Sequence, residues 1–327
     1  MSITTRAGPV AFVLGGGGPL GAYEVGMLKA LMHHGIQPDL ILGSSVGALN
    51  GAMIAADPQP AAVTRLEQLW ISLREHGVFA DTLFAQLGTA LRSRTHLFSN
   101  AALRGLITRE FGTAQIEDLA VTFECVAASI ERATEHWFVR GPLVDAVLAS
   151  SAVPGLLPAV LVGDEHFLDG GLVDSVPVGR ALASGARTVY VLHVGRIDQP
   201  LQAPRTPREV AMVAFEIARR HRFVHALSNP VAGVDVHVLP TGAPDSATDL
   251  RPRYGRRGLG LVRERIERAY EASMAYLAGQ AERADHAEHA DHAEHADHPE
   301  HADHPELSGQ AEHTTRADHT DRPGHMP

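Results

Sequence analysis

Three short stretches of this chain have residue types and spacing that can do chemistry. They are a serine set between glycines, an aspartate followed by two glycines, and a run of four glycines. Gly43-Ser44-Ser45-Val46-Gly47 is a G-x-S-x-G pentapeptide. Apolar Leu40-Ile41-Leu42 before it suits a buried strand, and the small apolar residues from Val46 to Ala56 suit a buried helix. A serine on a sharp strand-to-helix turn presents its hydroxyl at the carboxyl end of a sheet, where it can serve as a nucleophile. Gly43 and Gly47 have a steric role there, because so tight a turn leaves no room for flanking side chains. The amide of Val46, at the helix N-terminus, would help to stabilise an oxyanion.

The glycine run follows the first apolar segment. Pro9 to Leu14 reads as a buried parallel strand, Gly15 to Gly18 as a loop, and Ala22 to His34 as a helix ended by Gly35. Gly16, Gly18 and Gly21 match the G-x-G-x-x-G dinucleotide fingerprint. That fingerprint wants an acidic residue ending the second strand. Here the second strand ends in Gly43-Ser44-Ser45, and Asp39 precedes it. A tight turn that binds nothing is a second reading. An oxyanion loop, with successive glycine amides pointing into the crevice where Ser45 emerges, is the third.

The elements that must position these residues follow in order. Pro60 to Leu73 reads as a helix. Residues 75–112 are a looser segment, a candidate lid or acyl groove or ordinary satellite packing, with Ala101 to Phe111 helical. Val121 to Ser129 and Thr134 to Arg140 read as a hairpin. A short helix runs from Leu143 to Ser151, and Leu156 to Phe167 reads as irregular. Asp169 is an acid at a strand end, followed by Gly170 and Gly171. Arg187 to Val194 is a core strand and Val234 to Leu239 the last strand. Pro207 to Leu227 is a long helix with Val210, Val213, Ala214, Ile217 and Ala218 expected inward, and Gly258 to Leu277 a closing helix. Alternation of strands and helices predicts an α/β fold of three layers, α/β/α, around a mainly parallel sheet.

Composition bounds the partners. Of the formal net charge of −10, −9 lies from Ala281 onward, so the rest of the chain shows no basic nucleic-acid footprint. Cys125 is the single cysteine, which excludes a disulfide framework and suits an intracellular, cytoplasmic setting. No apolar stretch approaches the ~20 residues of a membrane span, so membrane contact would be peripheral. Residues 281–327 form an Ala-acid-His repeat with almost no large apolar residues, expected to be disordered. His286, His289 and His292 are weak candidates for zinc or nickel there, because i,i+3 spacing drifts round a helix. The resulting division is a short extension over 1–8, a catalytic domain over 9–280 and the tail.

With these blocks in place, the chain resembles the patatin-like phospholipase family from about Val10 to Ala183. Gly15 to Gly21 looks like its oxyanion loop, and Gly43 to Gly47 like its nucleophile elbow. Ser151-Ala152-Val153-Pro154 through Leu157-Pro158 is similar to its small-residue-then-proline block. Asp169-Gly170-Gly171 with Val176-Pro177 is similar to its catalytic-acid block. Two positions depart from the family: Leu20 stands where Arg or Lys is frequent, and Asp174 where Asn is common. The resemblance implies a Ser45–Asp169 dyad that cleaves lipid esters without a metal or cofactor. Gly16, Gly17, Gly18 and Val46 would supply oxyanion amides, with Gly21, Gly43, Gly47, Gly170 and Gly171 as motif support. It also implies a lipid or ester substrate and peripheral membrane contact. A Ser-Asp-His triad using His193 or His237 is an alternative, although both lie in strand patterns that suit packed histidines. A non-catalytic lipid-binding protein on the same fold is another.

Overall fold

The computed structural model describes residues 8–75, 96, 98–194, 200–227, 232–242 and 256–296. Met1–Ala284 form one compact unit and Asp285–Pro327 another. The described residues hold eight strands, β1 (Val10–Leu14), β2 (Leu40–Ser44), β3 (Thr122–Ser129), β4 (Thr134–Phe138), β5 (Val160–Val162), β6 (Glu165–Asp169), β7 (Thr188–Leu192) and β8 (Asp235–Val238). Among the described residues the helices are α1 (Ala22–His33), α2 (Val46–Ala56), α3 (Pro60–Glu75), α4 (Ala101–Phe111), α5 (Leu143–Ser150), α6 (Val178–Ala183), α7 (Pro207–Leu227) and α8 (Arg256–Ala296).

All eight strands form one sheet, in the order β5-β6-β3-β2-β1-β7-β8, with β4 also paired to β3. Strands β3, β2, β1, β7 and β8 run parallel, while β4, β5 and β6 are antiparallel to their neighbours. Side chains alternate across a strand, so β1 feeds two cores. Phe12 and Leu14 join α1, α2, α3, α5 and α8 on one face. Ala11 and Val13 join α6 and Phe223 of α7 on the other. This is the expected α/β/α sandwich. α1 stops at Gly35, whose φ of 70° is a left-handed conformation that glycine adopts without strain.

Three expectations change. Leu156 to Phe167 is not wholly irregular, because β5 and β6 form a hairpin with Val162 opposite Glu165. Its two-residue turn, Gly163-Asp164, is a recognisable hairpin signal. Second, α7 turns the other way: Val210 and Ile217 are 53% and 55% exposed, while Arg219 and Phe223 are buried. The inner side of α7 meets polar loops as well as core, so its apolar stripe does not mark the buried face. Third, α8 continues past Ala281 to Ala296. The repeat is rich in Ala and Glu, good helix formers. Of the candidate lid or acyl-groove segment expected over 75–112, residues 76–95 and 97 lie outside the described residues, as do 297–327.

α1 and α8 meet at Gly26. A Cβ there would lie 2.1 Å from the Ile266 carbonyl oxygen and 2.8 Å from the Tyr270 nitrogen. Both are backbone atoms that cannot move alone. Gly26→Ala is expected to cost about 1–3 kcal/mol through overpacking. Thermal denaturation should show this as a fall of several degrees in Tm. An unchanged Tm would show that the two helices do not meet at this contact.

Candidate active site

β2 ends at Ser44, α2 begins at Val46, and Ser45 between them has φ 55° and ψ −124°. A positive φ on a residue with a side chain costs of order 1–3 kcal/mol and persists only where surrounding contacts enforce it. The end of α5 enforces it. The Ser45 N–H donates to Ser150 Oγ at 2.9 Å, and the Ser151 hydroxyl donates to the Ser45 carbonyl at 3.2 Å. The flanking glycines have the steric role expected of them. A Cβ on Gly43 would lie 2.5 Å from Ala48 Cα, and one on Gly47 2.3 Å from the Leu14 carbonyl oxygen.

Strand pairing brings Asp169 to the serine. On β3, Val126 pairs with Trp137 of β4 and with Ser44 of β2. The next residue, Ala127, pairs with His136 of β4 and with Asp169 of β6. β4 therefore holds one edge of β3, while β2 and β6 share the other and run toward each other. They stop at Ser44 and Asp169. The Ser45 hydroxyl donates to Asp169 Oδ2 at 2.6 Å. Asp169 Oδ1 accepts from the Gly171 N–H at 2.7 Å. The Asp169 N–H donates to the Ala152 carbonyl at 2.9 Å, so the turn after α5 holds acid and serine together. Asp169 is fully buried. Burial pushes its carboxyl up to about 6, against the opposing effects of the Ser45 hydroxyl, the Gly171 amide and the Arg219 charge.

The glycine loop lies beside Ser45, and a Cβ on Gly16 would be 3.3 Å from Ser45 Cβ. Its amides divide by use. Gly15 N–H donates to the Leu192 carbonyl at 3.1 Å, and Gly16 N–H to the Ser175 carbonyl at 2.9 Å. Gly16 therefore drops out as an oxyanion donor, because its amide is spent on the loop after Asp169. The Gly17 and Gly18 amides have no protein acceptor among the described residues. Val46 N–H is free of a side-chain cap, since none closes the start of α2. These three amides are the available donors. Gly21, Gly170 and Gly171 pack too closely for a side chain: a Cβ would be 2.7 Å from Val46 Cγ2, 2.2 Å from the Val126 carbonyl oxygen and 2.7 Å from the Phe215 ring, respectively.

Below the loop is a buried polar group. Asn50 Nδ2 donates to the Gly21 carbonyl at 3.0 Å and to Glu24 Oε2 at 2.7 Å. Trp70 Nε1 donates to Asn50 Oδ1 at 3.0 Å. Burial pushes the Glu24 carboxyl well above the usual carboxylate range. Complete burial likewise pushes the Cys125 thiol up, which makes it a poor nucleophile.

The other sequence candidates do not join Ser45 and Asp169. His193 follows β7 and stacks on Phe223, ring centroids 4.6 Å apart. His237 lies on β8, stacked on Tyr190 at 5.0 Å and paired with the Tyr276 hydroxyl at 3.2 Å. Neither is interposed between Ser45 and Asp169. Asp39 accepts from the Val10 N–H at 2.8 Å, at the opposite end of β1 from the glycine loop, so it cannot serve the dinucleotide fingerprint. Ser150, Ser175 and Arg219 carry no signal in the sequence. Serines mark no motif by themselves, and an arginine in a long helix reads as solvated.

The family model described as patatin-like phospholipase matches residues 12–182, just over half of the chain. Among curated proteins, the chain is 32% identical over 189 residues to lysophospholipase nte1 of Aspergillus terreus. It is also 32% identical over 192 residues to a patatin-like phospholipase domain-containing protein of Caenorhabditis elegans. Each match covers 58% of this chain, but 12% and 14% of those relatives' own length. Among solved structures, the chain is similar to VipD from Legionella pneumophila, with a TM-score of 0.46 and 13% identity over 84% of this chain and 68% of that one. On the family-model match, with Ser45, Asp169 and the glycine loop inside it, the chain belongs to the patatin-like phospholipase family.

Proposed function

We propose that this protein is a serine acyl hydrolase that cleaves carboxylic ester bonds of lipids through Ser45 and Asp169. The observation that carries the proposal is the direct 2.6 Å hydrogen bond between Ser45 Oγ and Asp169 Oδ2, with no imidazole between them. Ser45 Oγ attacks the ester carbonyl carbon while Asp169 takes the hydroxyl proton. The tetrahedral oxyanion is held by the amides of Gly17, Gly18 and Val46. Asp169 returns its proton to the departing alcohol oxygen, leaving an acyl-serine. A water molecule then attacks the acyl carbon, Asp169 again takes the proton, and the fatty acid leaves as Ser45 is re-protonated. A buried carboxylate is a stronger base than one in water, which suits this double duty.

Lysophospholipase and phospholipase A activity are the substrate classes proposed, in a cytoplasmic setting. Such substrates present their ester bonds at a lipid surface, so peripheral membrane contact is part of the proposal. Exposed Val210, Ile217 and Val224 on α7 support it. Among the described residues, no helix is long and apolar enough to cross a membrane.

Ser45→Ala should abolish both labelling by a fluorophosphonate probe and hydrolysis of a p-nitrophenyl ester and a lysophospholipid. Asp169→Asn should lower kcat by about 10²–10⁴-fold, the usual contribution of a general base. His193→Gln and His237→Gln should retain activity, and its loss in either folded variant would favour a triad. For wild type, kcat/KM should fall as pH falls through about 6, where Asp169 becomes protonated.

The same shift predicts a stability effect. The folded state holds the Asp169 proton between its ordinary value of 3.8 and about 6. Wild-type stability is therefore lowered as pH rises through that window, by about 3 kcal/mol at neutrality. Asp169→Asn lacks this titration. Its Tm relative to wild type should climb between pH 4 and pH 8; a flat difference would show that Asp169 titrates at its ordinary value.

A further inference from the structure

We propose that Arg219, on a helix beyond the stretch matched by the family model, is a positioning residue for the oxyanion loop. By binding the Gly16 carbonyl it fixes the Gly16–Gly17 peptide and so aims the Gly17 amide. The role rests on the hydrolase activity proposed above.

Arg219 Nη1 donates to the Gly16 carbonyl oxygen at 2.8 Å. In a trans peptide the C=O and the next N–H point in opposite directions. Whatever holds the Gly16 oxygen therefore decides where the Gly17 N–H points. A glycine loop has little intrinsic preference of its own, since the absence of Cβ leaves rotation of each peptide cheap. The preceding peptide is already held, because Gly16 N–H donates to the Ser175 carbonyl. The Gly16–Gly17 peptide is the next one along, and its carbonyl is held by Arg219.

Arg219 is itself held. Nε and Nη2 donate to the two Glu216 carboxylate oxygens, each at 2.8 Å, and Arg220 Nε donates to the same carboxylate at 2.8 Å. This two-point contact leaves one edge of a rigid, planar fork to meet Gly16. Arg219 is 6% exposed, a cost in desolvation that an ordinary surface ion pair would not incur. At the far end of the loop, Arg265 of α8 repeats the pattern, with Nη1 donating to the Pro19 carbonyl at 3.0 Å. The loop from Gly15 to Gly21 carries no charged residue of its own. Its cationic contacts come from α7 and α8.

The test compares wild type, Arg219→Ala, Arg219→Lys and Glu216→Gln on p-nitrophenyl butyrate, with Tm measured for each. Loss of one oxyanion donor typically lowers kcat by about 10²–10³-fold. Arg219→Ala should show a loss approaching that range with KM nearly unchanged, partly restored by millimolar guanidinium ion. Arg219→Lys keeps the charge but cannot bind Glu216 and Gly16 together, so it should remain impaired. Glu216→Gln, which loosens the fork and leaves Arg219 in place, should show a smaller loss of kcat. A folded Arg219→Ala enzyme with wild-type kcat would overturn the proposal. So would a fully active Arg219→Lys, which would mean that charge alone matters. Wild type without esterase activity would instead overturn the hydrolase assignment, and this role with it.

Discussion

The backbone of Ser45 is the constraint on which the rest depends. Its φ of 55° is one that a residue with a side chain leaves unless prevented. Prevention comes from the end of α5, where Ser150 and Ser151 hold the Ser45 amide and carbonyl and Ala152 holds the Asp169 amide. One short helix end thus fixes Ser45 and Asp169 against each other. Their 2.6 Å contact follows from that brace rather than from any preference of the two side chains. The elbow also explains the glycines around it, since a strand that turns straight into a helix brings Gly43 against Ala48 and Gly47 against Leu14.

The antiparallel part of the sheet supplies the second requirement. In a wholly parallel sheet, an acid at a strand end would emerge one strand over from the serine, about 4.8 Å away across the sheet. Here β6 meets β2 end to end along the same edge of β3, so the acid arrives in line with the serine. The meeting point is buried. Burial makes Asp169 more basic, and it also makes its ionised form costly to the fold. The Gly171 amide and the Arg219 charge limit that cost without removing it. A free carboxylate would be easier to fold around and weaker as a base.

What was legible in the sequence followed period and punctuation. VAFVL alternates between two cores because β1 is covered on both faces, and the pattern of strands and helices gave the layers. Ser45 and Asp169 were legible because their neighbours are glycines required by close approach. The rest depended on contacts that composition does not encode. A glycine shows where the chain turns, not which amide is spent, so Gly16 read like Gly17 until its bond to Ser175 was seen. The apolar spacing of α7 implies a core on the side that carries Val210 and Ile217, which is the exposed side. Its inner face instead carries Phe215, Arg219 and Phe223 toward the two active-site loops and the nearby core. The hairpin of β5 and β6 carries only one short signal, Gly163-Asp164, between two strands too brief to show a period.

The residues that perform the proposed chemistry lie within 12–182, yet that stretch does not hold its own oxyanion loop in full. A run of glycines permits the backbone to approach Ser45 and, for the same reason, permits it to leave. Rigidity has to be imported. Ser175 and Asn50 supply part of it from within the matched stretch, and Arg219 and Arg265 supply the rest from α7 and α8. α8 is seated for this by the glycine contact at Gly26, which brings its backbone against α1 directly after the loop. The C-terminal helices therefore help to hold the glycine loop that lies beside Ser45. The polar inner face of α7 is what an element gives up in hydrophobic burial in order to orient a peptide that has no side chain to orient itself.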